Sequence, residues 1–128
     1  MTTIKEEIFE YLKEMGLMPK YDNDQDIVFK YQMATLIIVF HDKDKQFIRV
    51  ILPNIFRVDE NNRSDVLEVC NEIALHIKVA KCYITPHNKV WLAVEILLEK
   101  TPKYEDFLPR SFRILLDAAL AFKKEINK

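Results

Sequence analysis

Three aspartates at alternate positions form the first candidate site in this sequence. Asp22, Asp24 and Asp26 have the spacing with which a calcium-binding loop begins, because alternate carboxylates converge on one ion. The rest of such a loop is missing: the sixth position, where the sharp turn needs glycine, is Ile27, and the twelfth, where a bidentate glutamate is needed, is Met33. The pattern therefore predicts a solvated acidic loop and no metal site.

Two cysteines and two histidines form the second candidate, Cys70, His76, Cys82 and His87. Thiolates and imidazoles are the usual zinc ligands, but this spacing matches no short zinc motif, and Cys70 and His76 fall on opposite faces of a predicted helix. Cys82 and His87, across a predicted hairpin, are the one loose combination for nucleophilic catalysis. We expect both cysteines to be buried, reduced thiols.

Serine and glycine usage excludes several classes of enzyme. Ser64 and Ser111 are the only serines, and both lie at predicted helix starts, where a hydroxyl caps the helix. Gly16 is the only glycine, so the chain contains no glycine-rich nucleotide-binding loop and no GxSxG motif. The sequence therefore predicts no catalytic residues, no metal and no cofactor. We expect that the protein is not an enzyme.

Length and composition favour a single domain spanning residues 1–128. The chain has 128 residues, of which 49% are hydrophobic, enough for a core of its own. A net charge of -1 gives no field that would attract nucleic acid. The longest uncharged apolar stretch, 33–40, is shorter than the roughly 18–20 residues that cross a bilayer, and the N-terminal segment MTTIKEEIF is acidic where a signal peptide is apolar. We expect a cytoplasmic protein that does not bind membranes.

The first half of the chain predicts a helix followed by three strands. Residues 3–16 begin with a capping box, continue with apolar residues at helical spacing and end at glycine. Apolar residues then alternate over 27–31, as in a half-buried strand. The uncharged, β-branched run 36–40 predicts a central strand covered on both faces. A third strand runs over 46–53 to Pro53, whose missing N–H ends the strand or places it at an edge.

The second half predicts a helix, a hairpin and a long final helix. Ser64 can cap a helix that carries apolar residues along one face as far as Ile77. Strand-like runs at 81–85 and 90–97 flank a turn, and the last helix begins near Pro109. The predicted fold is α+β, an antiparallel sheet of about five strands in the order α-β-β-β-α-β-β-α.

The last helix has more apolar surface than a sheet alone would cover. Residues 114–122 are apolar nearly all round apart from Asp117, so the helix must be buried on more than one side. Either the other helices cover it, or a second copy or another protein does. The partner-binding hypothesis names four residues of this helix and one of the last strand: Ile114, Leu115, Ala118, Phe122 and Trp91.

Several segments carry a resemblance to a known family. They are DIVFKY, LIIVF, DKDKQFIRVILPNIF, EVCNEIALHIKVAKCYI, VWLAVEILL and FLPRSFRILLDAALAFKKEI. This succession covers nearly the whole chain and resembles the YbjN-like bacterial sensory transduction regulators. The resemblance implies the type III secretion chaperone-like fold, in which helices pack an antiparallel sheet in the order predicted above.

The resemblance also implies a function. It favours a non-enzymatic, regulatory or chaperone-like module that binds another protein or a second copy of itself, as a homodimer. A sheet edge or the apolar helix surface would receive the polypeptide by strand addition or groove packing. The alternative is a small-ligand sensor or weak enzyme with a pocket between sheet and helices, in which Tyr31, Tyr83 and His76 would be the first polar side chains to consider.

Overall fold

The computed structural model describes residues 2–128. Within this range the chain forms three α-helices and six strands, with one 3-10 turn before the last helix. In chain order they are α1 (Ile4–Glu14), β1 (Lys20–Tyr21), β2 (Ile27–Tyr31), β3 (Ala34–His41), β4 (Asp44–Arg57), α2 (Arg63–His76), β5 (Ala80–Ile84), β6 (Lys89–Leu97), the 3-10 turn (Tyr104–Asp106) and α3 (Leu108–Ile126). The predicted order of elements is confirmed, with β1 as an additional short strand.

All the strands belong to one antiparallel sheet in the order β1-β2-β3-β4-β6-β5. The meander β2-β3-β4 and the hairpin β5-β6 join where β4 pairs with β6, with Val50 opposite Val94 and Leu52 opposite Leu92. The short edge strand β1 pairs with β2 and was not predicted, because it lies in a polar segment without alternation.

The helices pack against one face of this sheet, which we call the inner face. Its strand residues alternate along the sequence and share one hydrophobic core with all three helices. From the strands they include Ile27, Phe29, Leu36, Ile38, Ile48, Val50, Leu92 and Val94, and from the helices Ile8, Leu12, Val66, Ile73, Leu108, Phe112, Leu115 and Phe122. The predicted burial of 36–40 on both faces is wrong, since Ile37 and Val39 lie on the opposite, open face and are half-buried.

The helix ends follow local chemistry that the sequence shows in part. The hydroxyl of Thr3 accepts the backbone N–H of Glu6 at 3.1 Å, which confirms the predicted cap of α1. The prediction that Ser64 caps α2 is wrong, because the N-cap is Asn62 and α2 already begins at Arg63. The Asn62 side chain instead accepts the backbone N–H of Asp59 at 2.8 Å and holds the turn before the helix.

Strand β4 passes through Pro53 instead of ending there. The pairing with β6 shifts register between Leu52 and Phe56, so the segment 53–55 bulges out of the ladder and the proline needs no ladder partner. Asn54 takes a left-handed backbone, with φ 55°, and its side-chain oxygen accepts the indole N–H of Trp91 at 3.0 Å. The predicted strand end at Pro53 is therefore wrong, and β4 is a central strand with a bulge.

Candidate functional site

The acidic loop is built as a turn. One carboxylate oxygen of Asp22 accepts the backbone N–H groups of Asp24 and Asp26, at 2.9 and 3.0 Å. Asp26 in turn accepts the backbone N–H of Phe40 at 3.1 Å, which fastens the loop to β3. Burial raises the pKa of Asp26, and the hydrogen bond from Phe40 opposes this shift. These contacts give the carboxylates of Asp22 and Asp26 a structural role in closing the β1-β2 connection.

The cysteines meet each other and not the histidines. The Sγ atoms of Cys70, on α2, and Cys82, on β5, are 3.3 Å apart, and both residues are free thiols. His76 lies at the exposed end of α2, with Nε2 3.2 Å from a carboxylate oxygen of Glu72. The structure thus brings together only two members of the combination considered above, and the hydrogen-bond partner of Cys82 is Cys70 rather than His87.

The polar side chains named for a small-ligand pocket are dispersed. Tyr31 packs edge-on against Phe112, with ring centroids 5.3 Å apart. Tyr83 lies on the open face beside Trp91, with centroids 6.5 Å apart, and burial raises its pKa. His76 is at the surface. These groups do not converge on a common cavity.

The predicted partner-binding residues occupy three different places. Leu115, Ala118 and Phe122 are buried in the core, where they pack against the sheet, and Phe122 also borders a cleft between α3 and β4. Ile114 is half-buried in the wall of a cleft beside α2, and Trp91 is half-buried on the open face. As partner-binding residues, all five stay predictions.

An apolar cleft lies along one flank of α3, and we call it the α3 groove. Leu116, Leu120 and Ile126 of α3 line one wall, and Ile55 and Phe56 of β4 line the other. Its volume is about 730 Å³, and Phe122 of α3 also lines it, with its ring tilted against that of Phe56 at a centroid distance of 5.5 Å. Gln32, Lys123 and Asn127 supply polar groups around it. The groove thus combines apolar walls with polar groups.

Two apolar side chains stand out at this groove. Leu120 is 68% exposed on α3. Met33 is 97% exposed at the tip of the β2-β3 hairpin, between the groove-lining residues Gln32 and Ala34. Gln32 and Met33 both have left-handed backbones, with φ 48° and 72°, as a two-residue hairpin turn requires. The hairpin turn therefore holds a large apolar side chain in solvent beside the groove.

A second cleft lies on the other flank of α3, and we call it the α2 cleft. It has a volume of about 610 Å³ and lies between the end of α2, the end of β6 and the start of α3. Its lining mixes apolar Ile114 and Val79 with charged Arg110 and Asp117. Val79 has φ 69°, a conformation that β-branched residues rarely adopt. The mixed lining makes this cleft less suited than the α3 groove to an apolar segment.

The open face of the sheet carries a charged cluster that runs from β4 across β6 to the edge strand β5. Glu95 accepts hydrogen bonds from Arg49 at 2.9 Å and from Lys81 at 3.0 Å, across three neighbouring strands. The hydrogen bond from Lys81 and that from Arg49 hold the pKa of Glu95 below its ordinary value. The guanidinium of Arg49 also lies 5.8 Å from the ring centroid of Phe47. This cluster ties β4, β6 and β5 together and interrupts the apolar surface of that face.

The groove residues Leu116 and Leu120 were missed because the whole of α3 looked apolar. A phase argument separates them: Leu108, Phe112, Leu115 and Phe122 recur at helical spacing and form the buried stripe. Leu116 and Leu120 are one turn apart and lie beside that stripe. Apolar residues out of phase with the main stripe were therefore the signal for the exposed flank.

No helix within residues 2–128 is both long enough and apolar enough to span a bilayer.

Comparisons with known proteins place this architecture. No family model matches the chain, and no curated protein matches it in sequence. Among solved structures, YbjN from Escherichia coli, described as "a putative transcription regulator", superposes with a TM-score of 0.72 at 13% identity, over 91% of this chain and 88% of that one.

Two secretion chaperones superpose as well. The Yersinia pestis type III secretion chaperone SycH, solved in complex with a fragment of YscM2, gives a TM-score of 0.64 at 11% identity, covering 94% of this chain and 99% of that one. A chain of the HopA1-SchA chaperone-effector complex gives 0.65 at 10% identity, covering 90% and 88%. Identities this low carry the fold alone. The chain has the YbjN-like, type III secretion chaperone-like α+β fold, which confirms the expected architecture.

Proposed function

We propose that this protein is a non-enzymatic, regulatory or chaperone-like module that binds a segment of another polypeptide in the α3 groove. The observation that carries the proposal is the apolar cleft between α3 and β4, with Leu120 exposed at it. Exposed apolar surface with polar groups at its edge is typical of protein-binding sites.

The shape of the groove suits a polypeptide better than a small molecule. It is open to solvent along the helix, and its volume of about 730 Å³ has room for several side chains. Its walls are formed by apolar side chains, which favours a segment with two or three apolar residues on one side. Lys123 at the groove favours a carboxylate on the bound segment.

The structural neighbours support a protein partner. SycH was solved with a fragment of YscM2, and SchA was solved with HopA1, so two proteins of this fold hold other polypeptides. Neither neighbour assigns a partner to this chain.

We also propose Ile114 in the α2 cleft and Trp91 on the open face as secondary contacts with the partner. The location we propose is the cytoplasm, as predicted from the sequence.

A pair of charge substitutions tests the groove. Leu120→Glu places a carboxylate at the groove, and Leu75→Glu is the matched control, because Leu75 on α2 is 69% exposed and Leu120 is 68% exposed. Neither change alters the core, so the stabilities should stay within about 0.5 kcal/mol of the wild type. Proteins that co-purify with the wild type from the native cell are identified, and binding of each is then measured by calorimetry with purified variants.

We expect Leu120→Glu to weaken binding of the partner that occupies the groove by about 30-fold or more. Leu75→Glu should leave the affinity for this partner unchanged. If the partner is a second copy, light scattering will show a wild-type dimer that Leu120→Glu alone converts to a monomer. Equal affinities for both variants and the wild type would show that the groove is not the binding site.

The small-ligand alternative receives less support. It depends on a cavity with convergent polar groups, and the α2 cleft is instead open to solvent, with a lining that mixes apolar and charged residues. The dispersal of Tyr31, Tyr83 and His76 points the same way.

A further inference from the structure

The two cysteines of the chain meet although they are 12 positions apart in sequence. Cys70 lies in the middle of α2 and is buried, whereas Cys82 lies on the edge strand β5 and is only partly buried. Their Sγ atoms are 3.3 Å apart, and a disulfide needs about 2.0 Å, so a small side-chain adjustment would bring them to bonding distance.

Cys82 is the more exposed of the two cysteines. Cys82 borders a shallow cleft of about 520 Å³, together with Ala74 at the end of α2 and Lys81 and Tyr83 of β5. Cys70 lies behind it and is 6% exposed. A small, uncharged oxidant can therefore approach Cys82 from the cleft. The thiol of Cys70 lies on the other side of Cys82, at contact distance and buried.

We propose that Cys70 and Cys82 form a reversible oxidation site, in which a peroxide converts the two thiols into an intramolecular disulfide between α2 and β5. Once the pair has lost one proton, Cys82 passes its own proton to the thiolate of Cys70, and hydrogen peroxide then transfers one oxygen to Cys82, which gives a sulfenic acid and hydroxide. The sulfur of Cys70 then attacks the sulfenic sulfur, so that an S–S bond forms, the S–O bond breaks and water leaves with the remaining proton. The two thiols lose two electrons, and one peroxide is reduced to two waters.

The shared proton helps the first step. The hydrogen bond lowers the pKa of Cys70 and raises that of Cys82, because the S–H of Cys82 donates to Cys70 and stabilises a thiolate there. After the pair has lost one proton the thiolate therefore lies on Cys70, and Cys82 becomes the nucleophile only when its own proton crosses the 3.3 Å to Cys70. Cys70 is thus the acceptor, at contact distance, for the proton that Cys82 must lose.

Intact-mass measurement on the full chain tests this site without a variant. The reduced protein is treated with a small molar excess of hydrogen peroxide, unfolded, alkylated and weighed. We expect a main product that has lost two hydrogen atoms, takes up no alkylating reagent and regains both thiols with dithiothreitol. Proteolysis should release the Cys70 and Cys82 peptides as one linked pair, and the oxidised protein should melt on the order of 5 °C higher, because the cross-link restricts the unfolded chain.

Cys82→Ser is the control for the order of events. We expect peroxide to leave Cys70 of this variant open to alkylation after unfolding, because the accessible sulfur is gone. Should the wild type instead accumulate sulfinic acids or disulfide-linked dimers as its main products, or keep both thiols, the proposed site is overturned. A wild-type disulfide together with equal oxidation of Cys70 in Cys82→Ser would overturn the assignment of Cys82 as the first sulfur to react.

Discussion

The two faces of the sheet carry similarly apolar strand residues, and the helices cover only one of them. On β3 the inner residues Leu36 and Ile38 are fully buried, whereas Ile37 and Val39 on the open face stay half-buried. The open face carries the cluster of Arg49, Glu95 and Lys81 on β4, β6 and β5. On the inner face of the same strands the adjacent residues, such as Val50 and Val94, are apolar. Whether a strand residue is buried therefore depends mainly on whether it lies on the face that the helices cover, and less on its residue type.

The open face is nevertheless not uniformly exposed. Ile51 and Ala93 pair across β4 and β6 on this face and are as buried as core residues, although they lie outside the helix-packed core. Their same-face neighbours along the strands include Arg49 and Trp91, and we infer that these long side chains shield them. Long polar and aromatic side chains thus do for a small area what the helices do for the inner face.

Substitution of two adjacent residues should separate the faces most clearly. Ile38→Ala removes a side chain that is 0% exposed from the core and should lower the free energy of unfolding by about 4 kcal/mol. Ile37→Ala, on the open face, should lower it by only about 1 kcal/mol. Urea denaturation gives both values, and similar losses for the two would mean that the open face is covered in solution.

A second substitution tests the buried area within the open face. Ile51→Ala should lower the free energy of unfolding by about 2 kcal/mol, since this side chain is buried by neighbours that can partly collapse into the space. Val39→Ala is the control on the same face, with an expected loss of about 0.5–1 kcal/mol. A loss for Ile51→Ala no larger than that of the control would contradict the shielding by Arg49 and Trp91.

The bulge of β4 offers a smaller effect with a local signal. Asn54→Ala removes the acceptor of the Trp91 indole and places alanine at φ 55°, so the loss should be about 1.5 kcal/mol. Asn54→Gly removes the acceptor and keeps the left-handed backbone without strain, with an expected loss of about 0.5 kcal/mol. Trp91 is the only tryptophan, so its emission reports the open face directly. Equal losses for both variants would show that the backbone conformation contributes nothing.

The smallest expected effect is the pH dependence of the charged cluster. The pKa of Glu95 is lowered in the folded state, so its stabilisation is fully present above the ordinary pKa of about 4.3 and is lost as pH falls through the lower, folded-state pKa. Glu95→Gln should therefore destabilise by about 0.5 kcal/mol near neutral pH and by much less at about pH 3. Denaturation at both pH values checks this, and a pH-independent difference would exclude the ionic origin.

Much of the fold was predictable because the periodic signals are local. The alternation at 27–31, the β-branched run at 36–40 and the stripe of α3 each identified an element that the structure confirms. The order of elements then limited the topology to one continuous sheet. Strand β1 carried no such signal, and the bulge of β4 reversed the usual meaning of Pro53.

The candidate site was less predictable because it depends on faces and distances. Apolar residues on both sides of β3 fit a strand covered twice or once, and only the position of the helices decides between these. The residues 114–122 look uniformly apolar, so the sequence did not separate the buried Leu115 from the exposed Leu120. The contact of Cys70 with Cys82 needs α2 to lie over β5, which no spacing in the sequence encodes.

The pairing of β4 with β6 has a consequence for the folding rate. Arg49 and Glu95, which bond across this pairing, are 46 positions apart, while β2, β3 and β4 are joined by short turns. The meander needs little loop closure, so it is able to form early, whereas the β4-β6 ladder must wait until the segment that contains α2 and β5 has been brought back. Changes along the β4-β6 ladder should slow refolding, and changes in β1 should act mainly on the rate of unfolding.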